Sequence, residues 1–200
     1  MLREQLFSGA IMARKPLYDV DQVLTEAIQI FLEHGYNGAV MDEIIARTDF
    51  NRRGFYIEFG SKQQFLYKVL DHYIESVLNN IVAHLEKNRG LWSIQRFFQD
   101  YVELVKGKGC LLVNMITELG FDDKHIRDTG RHYIDRLEIG FIACLEKAIQ
   151  HKQVKPNTNI EATALQLCSY VQGFSVTGVL AGRTDELDLA TEALLSPLAA

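Results

Sequence analysis

The chain has 200 residues, 48% of them hydrophobic and 24% charged, and a formal net charge of -5 at pH 7. The first two values are those of soluble globular proteins and exclude a disordered or fibrous chain, while the acidic balance excludes a nucleic-acid binder that works by overall positive charge. Its three cysteines, Cys110, Cys144 and Cys168, lie far apart and form no C-x-x-C pair, which argues against a disulfide framework or a zinc site and fits a reducing cytoplasm.

Residues 1–18 read as a flexible N-terminal arm. Leu6 to Ala13 is a short apolar stretch followed, not preceded, by Arg14 and Lys15, so no signal peptide is expected, and Met12 is an alternative start. No apolar run approaches the roughly 20 residues that span a bilayer, so no membrane partner is expected either.

From Val20 onward apolar residues recur at helical spacing, and the three prolines, Pro16, Pro156 and Pro197, fall near proposed helix ends. An all-α fold is predicted. Val20, Val23, Leu24, Ala27, Ile28 and Phe31 form the stripe of a first helix, capped by Asp19 or Asp21 and ended by Gly35. A short helix from about Met41 to Arg47, a break at Thr48 to Phe50 and a second short helix from Asn51 to about Phe59 form a helix-turn-helix. Ser61 and Gln64 make a capping box for a long fourth helix with the stripe Phe65, Val69, Tyr73, Ile74, Val77, Ile81 and Leu85. Turn-forming residues at 88–90, 106–109, 120–123, 153–158 and 182–185 then separate five further helical segments. The organisation predicted is an arm (1–18), a three-helix head (19–66) and a larger helical body (67–200).

In a helix-turn-helix the first residues of the second helix face base edges in the major groove. Here they are Asn51, Arg52, Arg53 and Gly54. One arginine is expected to read guanine and the other to neutralise phosphate, with Gly54 allowing close backbone approach. Tyr56 can place its hydroxyl on phosphate, and Lys62 adds charge to the free N–H groups at the start of the fourth helix. Residues 1–62 nevertheless hold seven basic side chains against nine acidic ones, so contact with DNA must rest on local placement.

Phe31, Gly35-Tyr36, Met41-Asp42-Glu43-Ile44, Arg52, Phe55-Tyr56, Phe59-Gly60-Ser61-Lys62 and Phe65 are spaced without a gap as in the DNA-binding head of the TetR/AcrR family of bacterial regulators, which residues 19–66 resemble. The resemblance implies phosphate contacts by Tyr56 and Lys62. Ala39 stands where the family has a threonine and so removes a phosphate-binding hydroxyl. Asp49 stands for the turn glycine, at a position where aspartate visits the left-handed region more easily than most residues. Asn51 to Gly54 replaces Ser-Lys-Gly-Thr, which leaves the target sequence open.

The body resembles the family in pattern and in Gly109-Cys110-Leu-Leu-Val-Asn114 and Gln172-Gly173. This implies a small-molecule pocket and a dimer built on the last two helices. Cys110, Asn114, Thr117 and Glu118 lie on one side of a helix and are expected to line that pocket with Tyr133 and Phe174. Trp92, Phe97, Tyr101 and Tyr170 are further aromatic candidates, and core packing is the competing role for each. Cys110, at the first turn of its helix, is either a thiol with a depressed pKa that senses electrophiles or oxidants, or an inert packed side chain. Leu165, Cys168, Val171, Gly173, Gly178, Val179, Leu180 and Gly182, with the segment 187–198, offer a dimer face.

Six scattered histidines, His34, His72, His84, His125, His132 and His151, suggest no metal site. No nucleotide-binding, zinc-protease or nucleophile-elbow motif occurs, so neither a cofactor nor an enzyme is expected. The expected function is a cytoplasmic homodimeric transcriptional regulator, a repressor released from double-stranded operator DNA by an unidentified small-molecule effector. The alternative is a small-molecule-binding or catalytic helical protein whose head no longer binds DNA.

Overall fold

A computed structural model of the protein describes residues 19–180 and 185–199. The arm, Met12 and Gly182 lie outside them. The described residues are helical apart from their turns and one isolated bridge between Val154 and Ala199.

Helix α1 (Val20–Gly38) starts where Asp19 accepts the N–H groups of Asp21 and Gln22, at 3.0 and 3.4 Å. Gly35 (φ 67°, ψ -175°) breaks it as expected, and residues 36–38 turn away beyond the kink. Helix α2 (Met41–Arg47) leads into a turn where Asp49 takes φ 54°, the left-handed conformation foreseen for it. Helix α3 (Arg52–Phe59) follows, and Ser61 caps α4 (Lys62–Tyr73) by accepting the Gln64 N–H at 3.1 Å. Phe55, Phe59 and Phe65 form the centre of the head, with ring centroids 4.7 to 5.0 Å apart. Phe31 on α1 and Phe50 in the turn pack around them and fix the angle of α3 to α1 and α4.

The predicted long helix is α4 continued through a π turn, Ile74–Leu78, into α5 (Asn79–Glu86). The wider turn places Leu78 in the core and leaves Val77 only half-buried, so the buried stripe jumps five residues from Tyr73. A strict 3.6-residue period cannot predict that jump. Among the described residues the remaining α-helices are α6 (Leu91–Val105), α7 (Leu111–Leu119), α8 (Lys124–Gln150), α9 (Ile160–Leu180) and α10 (Asp185–Leu195), the last followed by a short 3-10 turn, Ser196–Leu198. Helices α6, α8 and α9 bury Phe97, Phe98, Tyr101, Phe141, Leu167, Val171 and Phe174 against one another.

Part of the predicted dimer face is internal. A Cβ on Gly178 would lie 2.6 Å from the Val105 carbonyl oxygen, and the Gly107 N–H donates to the Gly178 carbonyl at 2.9 Å. Gly178 therefore seats α9 on the end of α6 within one chain, and Cys168 and Val171 are buried in the same core. Leu165, Ser169, Gln172, Gly173, Val176 and Leu180 instead form one exposed stripe along α9, and the space beyond Gly173 is open.

Candidate nucleic-acid interface and body cavity

Asn51 caps α3 by accepting the Gly54 N–H at 2.7 Å, so its oxygen is engaged and only its amide N–H groups are left to donate. A Cβ on Gly54 would crowd that cap at 3.1 Å, a reason for glycine that is independent of DNA. Arg52 pairs with Asp42 on α2, whereas Arg53 is exposed and makes no ion pair among the described residues. Tyr56 is 41% exposed and Ile57 75%. Ile57 lies one helical turn beyond Arg53 on the same side. It went unnoticed in the sequence, although an apolar side chain on the open face of a reading helix is suited to a thymine methyl.

The remaining cations of the head, Arg47 and Lys62, are engaged by other groups of the protein. Arg47 bridges Glu26 at 2.7 Å and Glu33 at 2.6 Å, with Glu43 at 3.7 Å. Glu33, His34 and Glu43 hold ligand atoms within 4.8 Å of one another, but the Arg47 guanidinium already supplies the cation there. Lys62 donates to the Tyr36 carbonyl and lies 4.4 Å over the Tyr36 ring. Burial pulls its pKa down, with Glu118 opposing. In this conformation its charge caps the end of α1 and does not stand beside the arginines. Ala39 is fully buried, and the N-cap of α2 is Val40, which makes no side-chain cap bond.

Glu118, expected in a ligand pocket, lies elsewhere. Its carboxylate accepts the backbone N–H groups of Tyr36 at 2.8 Å and Asn37 at 2.7 Å, just past the Gly35 kink. A side chain on Gly35 would meet this carboxylate at 2.7 Å. Thus α7 grips the end of α1 through two charge-assisted bonds, and the body holds the head at this point.

A cavity of about 740 Å³ opens between α7, α8 and α9. Of the six expected ligand residues, Thr117 and Tyr133 line it, together with Val113, Ile116, Ile134 and Val176. Asn114 points back toward the Lys108 carbonyl at 3.4 Å. Phe174 is core, packed on Phe98 and Tyr170. Cys110 is wholly buried behind the cavity wall, where burial pushes its thiol pKa up despite N–H groups at the start of α7 that act the other way. Desolvation outweighs the helix terminus, so of the two roles weighed for Cys110 its surroundings favour the inert, packed one. Among the other aromatics, Phe97 and Tyr101 are core, Tyr170 is half-buried and Trp92 is exposed.

Residues 23–69 match the family model for bacterial regulatory proteins of the tetR family, and residues 89–194 match that for the tetracyclin repressor-like C-terminal domain. The HTH-type transcriptional repressor DhaR of Mycobacterium sp. (strain GP1) is 31% identical over 110 residues, about half the length of each chain (54%). The HTH-type transcriptional repressor ComR of Escherichia coli (strain K12) is 25% identical over 177 residues, 82% of this chain and 81% of that one. Among solved structures, a cysteine mutant of the TetR family regulator CifR, complexed with 26 bp double-strand operator DNA, shares the fold. Its TM-score is 0.77 at 20% identity, covering 92% of this chain and 98% of that one.

Proposed function

The chain belongs to the TetR family of bacterial transcriptional regulators, and from that premise we propose that it is a homodimeric repressor released from operator DNA by a small molecule bound in its body. The observation that carries the DNA contact is the open face of α3, where Arg52, Arg53, Tyr56 and Ile57 stand exposed on a helix fixed by a phenylalanine core. Arg53 reads a base edge, Arg52 exchanges Asp42 for phosphate, and Tyr56 adds a phosphate contact. Asn51 and Gly54 set the start of the helix. Lys62 reaches phosphate by leaving the Tyr36 carbonyl.

The head (19–66) and the body (67–200) meet at Glu118. Its helix, α7, presents Val113, Ile116 and Thr117 to the cavity and its carboxylate to α1. A ligand that binds the cavity better in one setting of α7 shifts the head to the matching position, and the difference in affinity between the two settings fixes how strongly DNA is released. The exposed α9 stripe is the seat of the second copy, which would also close the cavity on its Gln172, Gly173 and Val176 side. No described helix is long and apolar enough to cross a membrane. We place the activity in the cytoplasm, where the DNA is, and assign no catalytic residue.

The test is a mobility shift of duplex DNA enriched on the protein from a random pool, using wild type and Glu118→Ala. Wild type is expected to retard the duplex. Glu118→Ala, with its α3 face untouched, should bind about tenfold more weakly, the scale of one charge-assisted hydrogen bond. No shift by wild type at low salt would overturn the DNA reading and favour a ligand-binding helical protein. Equal binding by both proteins would remove Glu118 from the junction's function.

A further inference from the structure

The chemistry of the ligand is written in the wall of the cavity. Tyr133 lines both the 740 Å³ cavity and a second one of about 440 Å³ between α4 and α8, so it stands as the partition between them. It is 3% exposed, and its hydroxyl has no hydrogen-bond partner. The hydroxyl of Tyr101, on a wholly buried side chain, is also unpartnered. Tyr73 differs: its hydroxyl donates to the Cys110 sulfur at 3.6 Å. All three phenols gather about that thiol, which is too weak an acceptor to satisfy more than one of them. Most buried polar side-chain atoms in folded proteins have a partner, and two neighbouring orphans in one interior are an exception that asks for one.

We infer that the body binds a largely aromatic or aliphatic molecule carrying a hydrogen-bond acceptor such as a carbonyl, which accepts a hydrogen bond from the Tyr133 hydroxyl. This rests on reading the body as the effector-binding domain and adds the class of effector. Val113, Ile116, Ile134 and Val176 provide the apolar contact. Burial holds both phenols well above their usual pKa, so they stay protonated and act as donors. Arg127, Arg131 and Asp135 also line the cavity, Arg127 donating to the Gly120 and Phe121 carbonyls, so its wall offers charge of both signs beside the apolar contact.

The full-length protein is titrated with two probes of one shape: benzophenone and diphenylmethane, which lacks the acceptor. Benzophenone is expected to bind about fivefold tighter than diphenylmethane, the worth of one neutral hydrogen bond. Tyr133→Phe keeps the ring and the packing, and should erase the preference by weakening benzophenone alone. Near-ultraviolet illumination should attach benzophenone to peptides from α7, α8 or α9. Equal binding of benzophenone and diphenylmethane to wild type, or a preference that survives Tyr133→Phe, would overturn the acceptor class and leave the cavity as a binding site. Absence of binding by both probes, or attachment confined to other helices, would overturn the cavity reading itself.

Discussion

Glutamates at both ends of the exposed α9 stripe, Leu165→Glu with Leu180→Glu, are expected to give a folded monomer that has lost operator binding. Leu165 is 53% and Leu180 79% exposed, so neither contributes to the core of one chain and a charge at either leaves that core intact. Between them Ser169, Gln172 and Gly173 are polar or small, and Val176, 54% exposed, adds an apolar side chain. Such a surface brings two helices close together, and the two-fold partner would then meet like charges buried without counter-ions. Each head alone binds one half-site. Linking two heads raises affinity by roughly 100- to 10,000-fold through effective concentration, and that gain should vanish with the dimer. Sedimentation of the variant at micromolar concentration, beside a mobility shift, reads both effects. A variant that remains dimeric and bound would move the interface away from α9.

Arg53→Ala is expected to lower affinity for the preferred duplex about tenfold to a hundredfold and to relax base choice at one position in each half-site. Arg52 is held by Asp42 on α2, whereas Arg53 is exposed and makes no ion pair among the described residues. It can therefore place both ends of its guanidinium on guanine O6 and N7, a contact that discriminates by about 1 to 3 kcal/mol. The measurement is a binding titration against duplexes carrying each base in turn. Uniform weakening across all of them would assign Arg53 to phosphate and leave base reading to Ile57 and the Asn51 amide.

The head was legible in the sequence because each of its devices is local. Asp19 and Ser61 bond N–H groups two or three residues on, Gly35 breaks a helix by its own dihedral angles, and Asp49 enters the left-handed region within a turn. What escaped depends on residues distant in the chain. Glu118 lies on the same strip of α7 as Asn114, and helical spacing alone cannot tell a pocket from a junction; the Tyr36 and Asn37 N–H groups that claim it are more than eighty positions away. Gly178 reads as an interface glycine until the Val105 carbonyl is placed against it. Cys110 has the helix position of an activated thiol, and only the surrounding phenols and aliphatic residues reveal the desolvation that reverses the effect. A separation of 26 positions likewise hid the pairing of Lys62 with Tyr36, which holds inward a charge expected on the DNA face.

The central claim is that two copies of α3 read DNA together. Selection of bound duplexes from a random pool by the full-length protein tests it most directly. An enriched inverted repeat, with half-site centres one helical turn of about 34 Å or a multiple apart and a guanine fixed in each half, is the predicted result. Recovery of a pool no different from the input, or of single half-sites without symmetry, would contradict it.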